Sequence, residues 1–363
     1  MTGPAGIRSS PVFQTLVIWL LFAAVAVWQT YDLSLPELLA GTDDDTRILR
    51  VRALLDGAGW YDDRLTRIDP PEGAELHWSR LPDLPIAGTI LALTPWIGEA
   101  AATRTAAIAV PMALGLGFLM ALTWAIRPLV ARQYAAAAAM AGVTLVGFQS
   151  FWPGRVDHHG WMMIAFAITL GALLRTAART PGTRAAHTVA GAAMAVGLVA
   201  TAETSIAFAT AMAVLFGLWV WQGAPVAADA RRFALACALV AVILFPVAHP
   251  PAAWSRVACD AFSLPYLAGV GAGLLFWWAA PWAAGWEAPA RRRLLQNPLA
   301  GGLQLPAGNR SLPGPGGGAH HPVDPCQGRI QVRVHGGPGK HVPRTGGQGG
   351  GLGAGVYCRT HQP

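Results

Sequence analysis

Charge is what this chain has least of. Of its 363 residues only 12% are charged, against 53% hydrophobic, and the mean hydropathy is +0.41. A soluble domain needs a polar surface that such a composition does not supply. Lysine is nearly missing, with Lys340 the single example. The four cysteines (Cys237, Cys259, Cys326 and Cys358) show neither metal-type spacing nor a disulfide framework. The apolar stretch after Arg8 lacks a small-x-small cleavage site, so it reads as a retained first helix rather than a removed signal peptide. The net charge of +7 invites a nucleic-acid partner. The arginines, however, gather at the ends of apolar runs without interleaved aromatics, which makes them topology signals, and no nucleic acid is expected.

What the chain has in quantity is apolar helix. Leu16–Trp28, Ala106–Ile126, Met162–Leu174, Val189–Ala202, Ile206–Trp221, Phe233–Val247 and Leu267–Ala280 reach or approach a bilayer-crossing length once their flanks are counted. Their dense alanine and glycine suit close helix packing in lipid. The expected fold class is all-α, a polytopic transmembrane bundle over residues 1–295. It has about eight spans, at roughly 11–28, 105–126, 133–149, 158–176, 186–202, 205–222, 232–248 and 264–284.

A long first outer loop, 29–104, carries most of the acidic residues. Within it Thr46–Leu55 has helical periodicity, with Ile48, Leu49, Val51, Leu54 and Leu55 as the apolar face. Leu84–Ile97 is apolar but short and interrupted by Pro85 and Pro95, and is expected to lie against the bundle without crossing. That choice puts Arg127, Arg132, Arg175, Arg179, Arg184, Arg231, Arg232 and Arg291–Arg293 on the side of Arg8, as the positive-inside bias requires. The acidic loop and a second outer loop, 150–157, then share the opposite face. The expected location is a bacterial inner membrane with these loops towards the periplasm. Residues 296–363 are rich in Gly and Pro and cannot bury enough apolar surface to fold. Either this is a basic disordered tail, or its reading frame is shifted and further helices or a domain have been cut away. His320, His321 and Cys326 are poor metal candidates for that reason.

Two acidic clusters fall on the outer face: Asp43–Asp45, and Asp157-His158-His159 just before the fourth span. Carboxylates and imidazoles at a membrane edge need water, a metal or a partner. Their mix of hard oxygen with one or two nitrogens suits Mn²⁺ or Mg²⁺. Such an ion would neutralise a phosphate leaving group, while a first-loop carboxylate would act as general base on an acceptor. A plain helix N-cap accounts for one or two of Asp43, Asp44 and Asp45, not for three. Arg155 is placed to pair with Asp157 or to bind a lipid phosphate, and Arg80 and His77 to contact a carrier phosphate. Glu203 is a lone outer carboxylate, either a substrate residue or a simple loop residue.

The run Gly154-Arg-Val-Asp-His-His-Gly160 resembles the second acidic motif of the oligosaccharyltransferase catalytic-subunit family, Gly-x-x-Asp-x-acidic. The order of features over about 11–222 is similar as well, including Trp60-Tyr61-Asp62, and is shared by glycosyltransferases of the GT-C type. The resemblance implies a transferase that takes a sugar or oligosaccharide from a polyprenyl-phosphate-linked donor. It puts metal on Asp157 and His159, with His159 replacing the second carboxylate. It puts Asp43, Asp44 or Asp45 on the first-loop acid that binds metal and approaches the acceptor, Asp45 being the assignment for metal. His158, Arg155, Arg80 and Glu203 are the expected substrate-binding residues. A later outer-loop acidic motif and a C-terminal Trp-Asp motif are missing, so the acceptor is unknown, a lipid or glycan as much as a peptide. The rival readings are a transporter or flippase of lipid-linked sugars, against which the near absence of mid-span charge counts, and an inactive truncated family member.

Overall fold

The structure is a computed structural model that describes residues 10–39, 41–68, 70–146 and 148–283. The expected tail, 296–363, with His320, His321 and Cys326, lies outside these residues, as do Arg291–Arg293 before it. The chain runs through α1 (Pro11–Thr30), α2 (Leu35–Leu38), α3 (Thr42–Leu55), the short strands β1 (Arg64–Leu65) and β2 (Ala74–Glu75), α4 (Asp83–Ile97) and α5 (Glu99–Ile126). It continues with α6 (Ala135–Val146), α7 (His159–Ala177), α8 (Thr183–Ala200), α9 (Thr204–Gln222), α10 (Ala224–Ala248) and α11 (Leu264–Ala279). The two strands pair antiparallel, Arg64 opposite Glu75.

Eight helices fall on the eight expected spans. Five of them, α1, α5, α7, α9 and α10, are long and apolar enough to cross a membrane, while α11 is shorter. The protein is an integral, multi-pass membrane protein. Large apolar side chains such as Leu21 and Trp28 on α1, Ile243 on α10 and Trp278 on α11 are exposed, as lipid-facing residues should be. Between helices the contacts are close. A Cβ on Gly191 of α8 would come within 2.1 Å of Phe233 O on α10, and one on Gly171 of α7 within 2.2 Å of Trp124 on α5. Helix α10 begins eight residues before its expected start because Gly223, at φ 82°, turns the chain out of α9 and straight into it.

The first outer loop is a folded unit. Helix α4, at 15 residues, falls short of the length that crosses a bilayer alone and packs on α5. Gly98, at φ 78°, reverses the chain so that Ile86, Ala87 and Ile90 of α4 bury against Ala102, Ala106 and Ala107 of α5. Arg104, near the start of α5, donates to Thr30 O, Tyr31 O and Leu33 O at the end of α1. Residues 31–103 therefore leave and re-enter the bundle at the same end.

Helix α3 departs from its expected face. Its buried stripe is Asp44, Arg47, Ile48, Arg50 and Val51, and the three aspartates occupy its first turn behind an N-cap at Gly41. Carboxylates there complement the helix dipole. The buried arginines are matched from the loop: Arg47 pairs with Asp83 at 2.6 Å, and Arg50 with Asp63 at 2.9 Å and Asp83 at 3.2 Å. Leaving such charges unpaired would cost several kcal/mol each.

Candidate metal centre

The loop before α7 is shaped by its glycines and one phenylalanine. Gly154 sits at φ 91°, and a Cβ there would lie 1.9 Å from Leu38 O of α2. Its N–H donates to Ala107 O of α5 at 2.8 Å. Phe151, fully buried, stacks on Phe118 with centroids 5.0 Å apart and fills the space left by Gly115 and Gly160. The loop is thereby held between α2 and α5, and it carries Arg155, Asp157, His158 and His159 to the end of the bundle where the first outer loop folds.

There the two acidic clusters meet. Arg155 Nη1 donates to Asp44 Oδ2 at 2.9 Å, and Arg155 Nη2 donates to Asp157 Oδ2 at 2.9 Å. The N–H of Val156 donates to Asp44 Oδ1 at 2.8 Å, and that of His159 to Asp157 Oδ1 at 2.9 Å. Asp44 is fully buried, Asp157 nearly so, and Arg155 is 27% exposed. Burial pushes the Asp44 carboxyl up to about 6 against the pull of Arg155. For Asp157 burial acts in the same direction. The imidazole of His159 and the guanidinium of Arg155 outweigh it and hold this carboxyl below the usual carboxylate range.

His159 Nδ1 lies 2.9 Å from Asp157 Oδ2 but off the direction that a hydrogen bond needs, so this buried nitrogen has no hydrogen-bond partner among the described residues. Its Nε2 faces Glu203 Oε2 at 3.6 Å. The ring stacks on His158 at 4.6 Å, and ligand atoms of His158, His159 and Glu203 come within 4.8 Å of one another. His158 is buried against Trp78, and its Nδ1 is 3.5 Å from Arg47 Nη2. A guanidinium only donates, so this contact puts the imidazole proton on Nε2. Burial first, and the charge of Arg47 second, push His158 down to about 3 and keep it neutral.

Two donors 2.9 Å apart, one of them an orphaned nitrogen, fit a divalent ion. Metal bonds of about 2.1 Å at a right angle put their ligand atoms roughly 3 Å apart. Asp157 Oδ2 and His159 Nδ1 meet that condition. His159 Nε2–H is then directed at Glu203, the arrangement in which a carboxylate orients a metal-bound imidazole. The nitrogen moves the preference from Mg²⁺ towards Mn²⁺ or Zn²⁺.

The first-loop aspartates separate. Asp44 faces inward to Arg155, whereas Asp43 and Asp45 are exposed, so Asp44 takes the inward place expected of Asp45. Successive helical residues point about 100° apart and cannot converge on one ion. Arg80 is not available to a carrier phosphate. It is 3% exposed, pairs with Asp63 at 3.0 Å and donates to Asp62 O. Arg155 is the expected partner of Asp157 and also holds Asp44. Glu203 is exposed and beside His159. Arg47, Trp78 and Asp83, which fix His158, were not among the expected site residues. The signal for Arg47 was the repeat of charge at positions 44, 47 and 50, which share a helix face; Trp78 and Asp83 carried none.

No family model matches the sequence, and no curated protein matches it either. Solved structures of the Archaeoglobus fulgidus oligosaccharyltransferase do match in fold. Its apo form, and its complex (as AglB) with an inhibitory peptide and a dolichol-phosphate, superpose with TM-score 0.59 at 16% identity over 76% of this chain. A complex of the same enzyme with Zn and sulfate gives TM-score 0.55 at 17% identity over 78%. The match spans only 34% to 37% of the solved chains. The fold is thus that of the membrane part of an oligosaccharyltransferase, as the motif around Asp157 implied.

Proposed function

We propose that this protein transfers a sugar or oligosaccharide from a polyprenyl-phosphate-linked donor to an acceptor at the membrane surface, with a divalent ion bound by Asp157 and His159. The observation that carries the reading is the meeting of Asp44, Arg155, Asp157 and His159 at one end of an oligosaccharyltransferase-like bundle. When bound, the ion supplies Lewis-acid stabilisation to the departing phosphate. His159 and Asp157 hold it, and Glu203 fixes the imidazole. His158, neutral and buried between Trp78 and His159, holds the ring of His159 in place. Arg155 neutralises Asp44 and Asp157 and orders the loop. Asp43 and Asp45, exposed in the first turn of α3, are the carboxylates free to take a proton from an acceptor hydroxyl or amide.

The donor arrives from the bilayer, and a bacterial inner membrane with the site towards the periplasm is the proposed setting. Mn²⁺ is the proposed ion, with Zn²⁺ second. A flippase would carry its charges along the spans, whereas the ion pairs around Asp83 and Asp157 gather at one end. The test is transfer from polyprenyl-phosphate sugars by the purified protein, with and without Mn²⁺, beside Asp157→Ala. Transfer should need the ion and vanish in the variant. Undiminished transfer by Asp157→Ala would remove the metal reading.

A further inference from the structure

At the end of the bundle away from Asp157, a cavity of about 650 Å³ lies between residues 228–235 of α10 and residues 274–278 of α11. We propose that it seats one anionic diacyl phospholipid of the surrounding membrane, with its phosphate on Arg231 and Arg232 and an acyl chain along the apolar wall.

The order of the helices fixes its depth. Helix α9 starts at Glu203, beside the proposed ion, and crosses to Gln222, where Gly223 turns the chain into α10. Arg231 and Arg232 therefore lie about two turns inside the opposite end. Helix α11 returns towards that end, and Trp278, its penultimate residue, reaches the same cavity. On α10 the positions 228, 231, 232 and 235 share one helix face, and on α11 the positions 271, 274, 275 and 278 do so with the same spacing. Leu235, Leu275 and Trp278 are exposed, so these faces look onto the bilayer, while Val270 and Trp277 turn into the core. A Cβ on Gly271 would meet nothing within 4 Å, so no side chain closes the groove further along α11.

Charge selects the occupant. Two guanidiniums and no carboxylate line the cavity. Arg232 Nη1 is 3.9 Å from Asp229 Oδ1, and Arg231 enters no ion pair among the described residues. Arg231 Nε donates to Ala227 O at 3.3 Å and Arg232 Nη1 to Ala228 O at 3.0 Å, which holds both side chains on the surface of α10. The terminal nitrogens of Arg231 are then placed to meet a phosphate as a fork. Arg175 differs: it stacks over Trp124 at 3.6 Å and donates to Gly171 O and Trp124 O. A guanidinium within a span needs water or an anion, and a basic pocket between spans with a tryptophan at headgroup level suits an anionic lipid. A soluble anion would leave the leucine wall uncovered. A zwitterionic lipid would bring a cation beside two arginines. The phosphate of the proposed sugar donor belongs at Asp157, the other end.

The test uses the full chain, delipidated in detergent and followed by native mass spectrometry as dioleoylphosphatidylglycerol or dioleoylphosphatidylcholine is added. The first phosphatidylglycerol should bind about tenfold more tightly than phosphatidylcholine. The double variant Arg231→Gln, Arg232→Gln should weaken it by about 30-fold and erase the preference. If that variant does not fold, Arg231→Gln alone should weaken it by about fivefold. Arg127→Gln with Arg132→Gln removes two exposed charges from the same end and should change nothing. Equal binding of the two lipids, indifference to the groove variants, or an equal loss in the Arg127 and Arg132 variant overturns the proposal. Tighter binding of a polyprenyl phosphate also overturns it, by assigning the groove to a carrier lipid. A dimer in place of a bound lipid does the same, by assigning it to a second copy of this chain.

Discussion

Arg155 donates to Asp44 Oδ2 at 2.9 Å across 111 residues of chain. With its second terminal nitrogen on Asp157, this one guanidinium joins the first outer loop to the loop before α7. Arg155→Ala leaves two buried carboxylates without their cation, and should cost about 3 kcal/mol. The expected readout is a lower unfolding temperature that saturating Mn²⁺ partly restores, because an ion can neutralise the same oxygens. Arg155→Lys should behave like the alanine variant, since one ammonium does not bridge both acids.

Asp157→Asn and His159→Ala should abolish Mn²⁺ binding measured by calorimetry. Glu203→Gln acts only through the orientation of His159, and should weaken the ion by roughly 10–100-fold without removing it. Equal loss in all three variants would make Glu203 a direct ligand.

Asp83 is buried between Arg47 and Arg50. Asp83→Asn should destabilise the protein by about 3–5 kcal/mol, through guanidiniums left without a counter-charge. Asp43→Asn and Asp45→Asn, at exposed positions, should change thermal stability by less than about 0.5 kcal/mol. Transfer assays on those two variants then report chemistry rather than folding.

Gly154→Ala adds a Cβ 1.9 Å from Leu38 O at a backbone φ of 91°. Strain alone is worth about 1–3 kcal/mol, and the clash adds to it. Proteolysis within residues 150–158 should rise, and sugar transfer should fall with it.

His249, at the end of α10, is held below its ordinary pKa by burial, against the opposing pull of its bond to Phe262 O. For an imidazole depressed in the folded state, the unfolded chain binds the proton more readily. The stability it contributes is therefore present above the unfolded value of about 6.5 and lost as pH falls below it. His249→Gln, which can still donate to Phe262 O, should flatten the loss of thermal stability on acidification between neutral pH and about 5. A slope unchanged from wild type would assign that loss to other groups.

The spans were legible because lipid leaves a helix no choice but an apolar surface of bilayer length. That α4 is a short helix was legible too, from the brief apolar run between Pro85 and Pro95. The inward face of α3 was not. Reading its apolar residues alone put Leu54 and Leu55 in the core, whereas Arg47 and Arg50 are more deeply buried. Those arginines are tolerated only because Asp63 and Asp83 fold back onto them, a long-range pairing that periodicity does not encode. The same holds at the site. The motif named Asp157 and His159, but choosing Asp44 from its neighbours required the position of Arg155. Arg80 looked free because its partners are 17 and 3 residues away in opposite roles, one as loop carboxylate and one as helix-start carboxylate.

Helix α3 and the loop bearing Asp157 both lie outside the membrane-crossing segments, and Arg155 and the Gly154–Leu38 contact lash them to each other. The proposed centre, mounted this way, is insulated from the thickness of its solvent. Thinner or thicker bilayers will change the tilt of α1, α5 and α7, while the spacing of the two carboxylates travels with the rim.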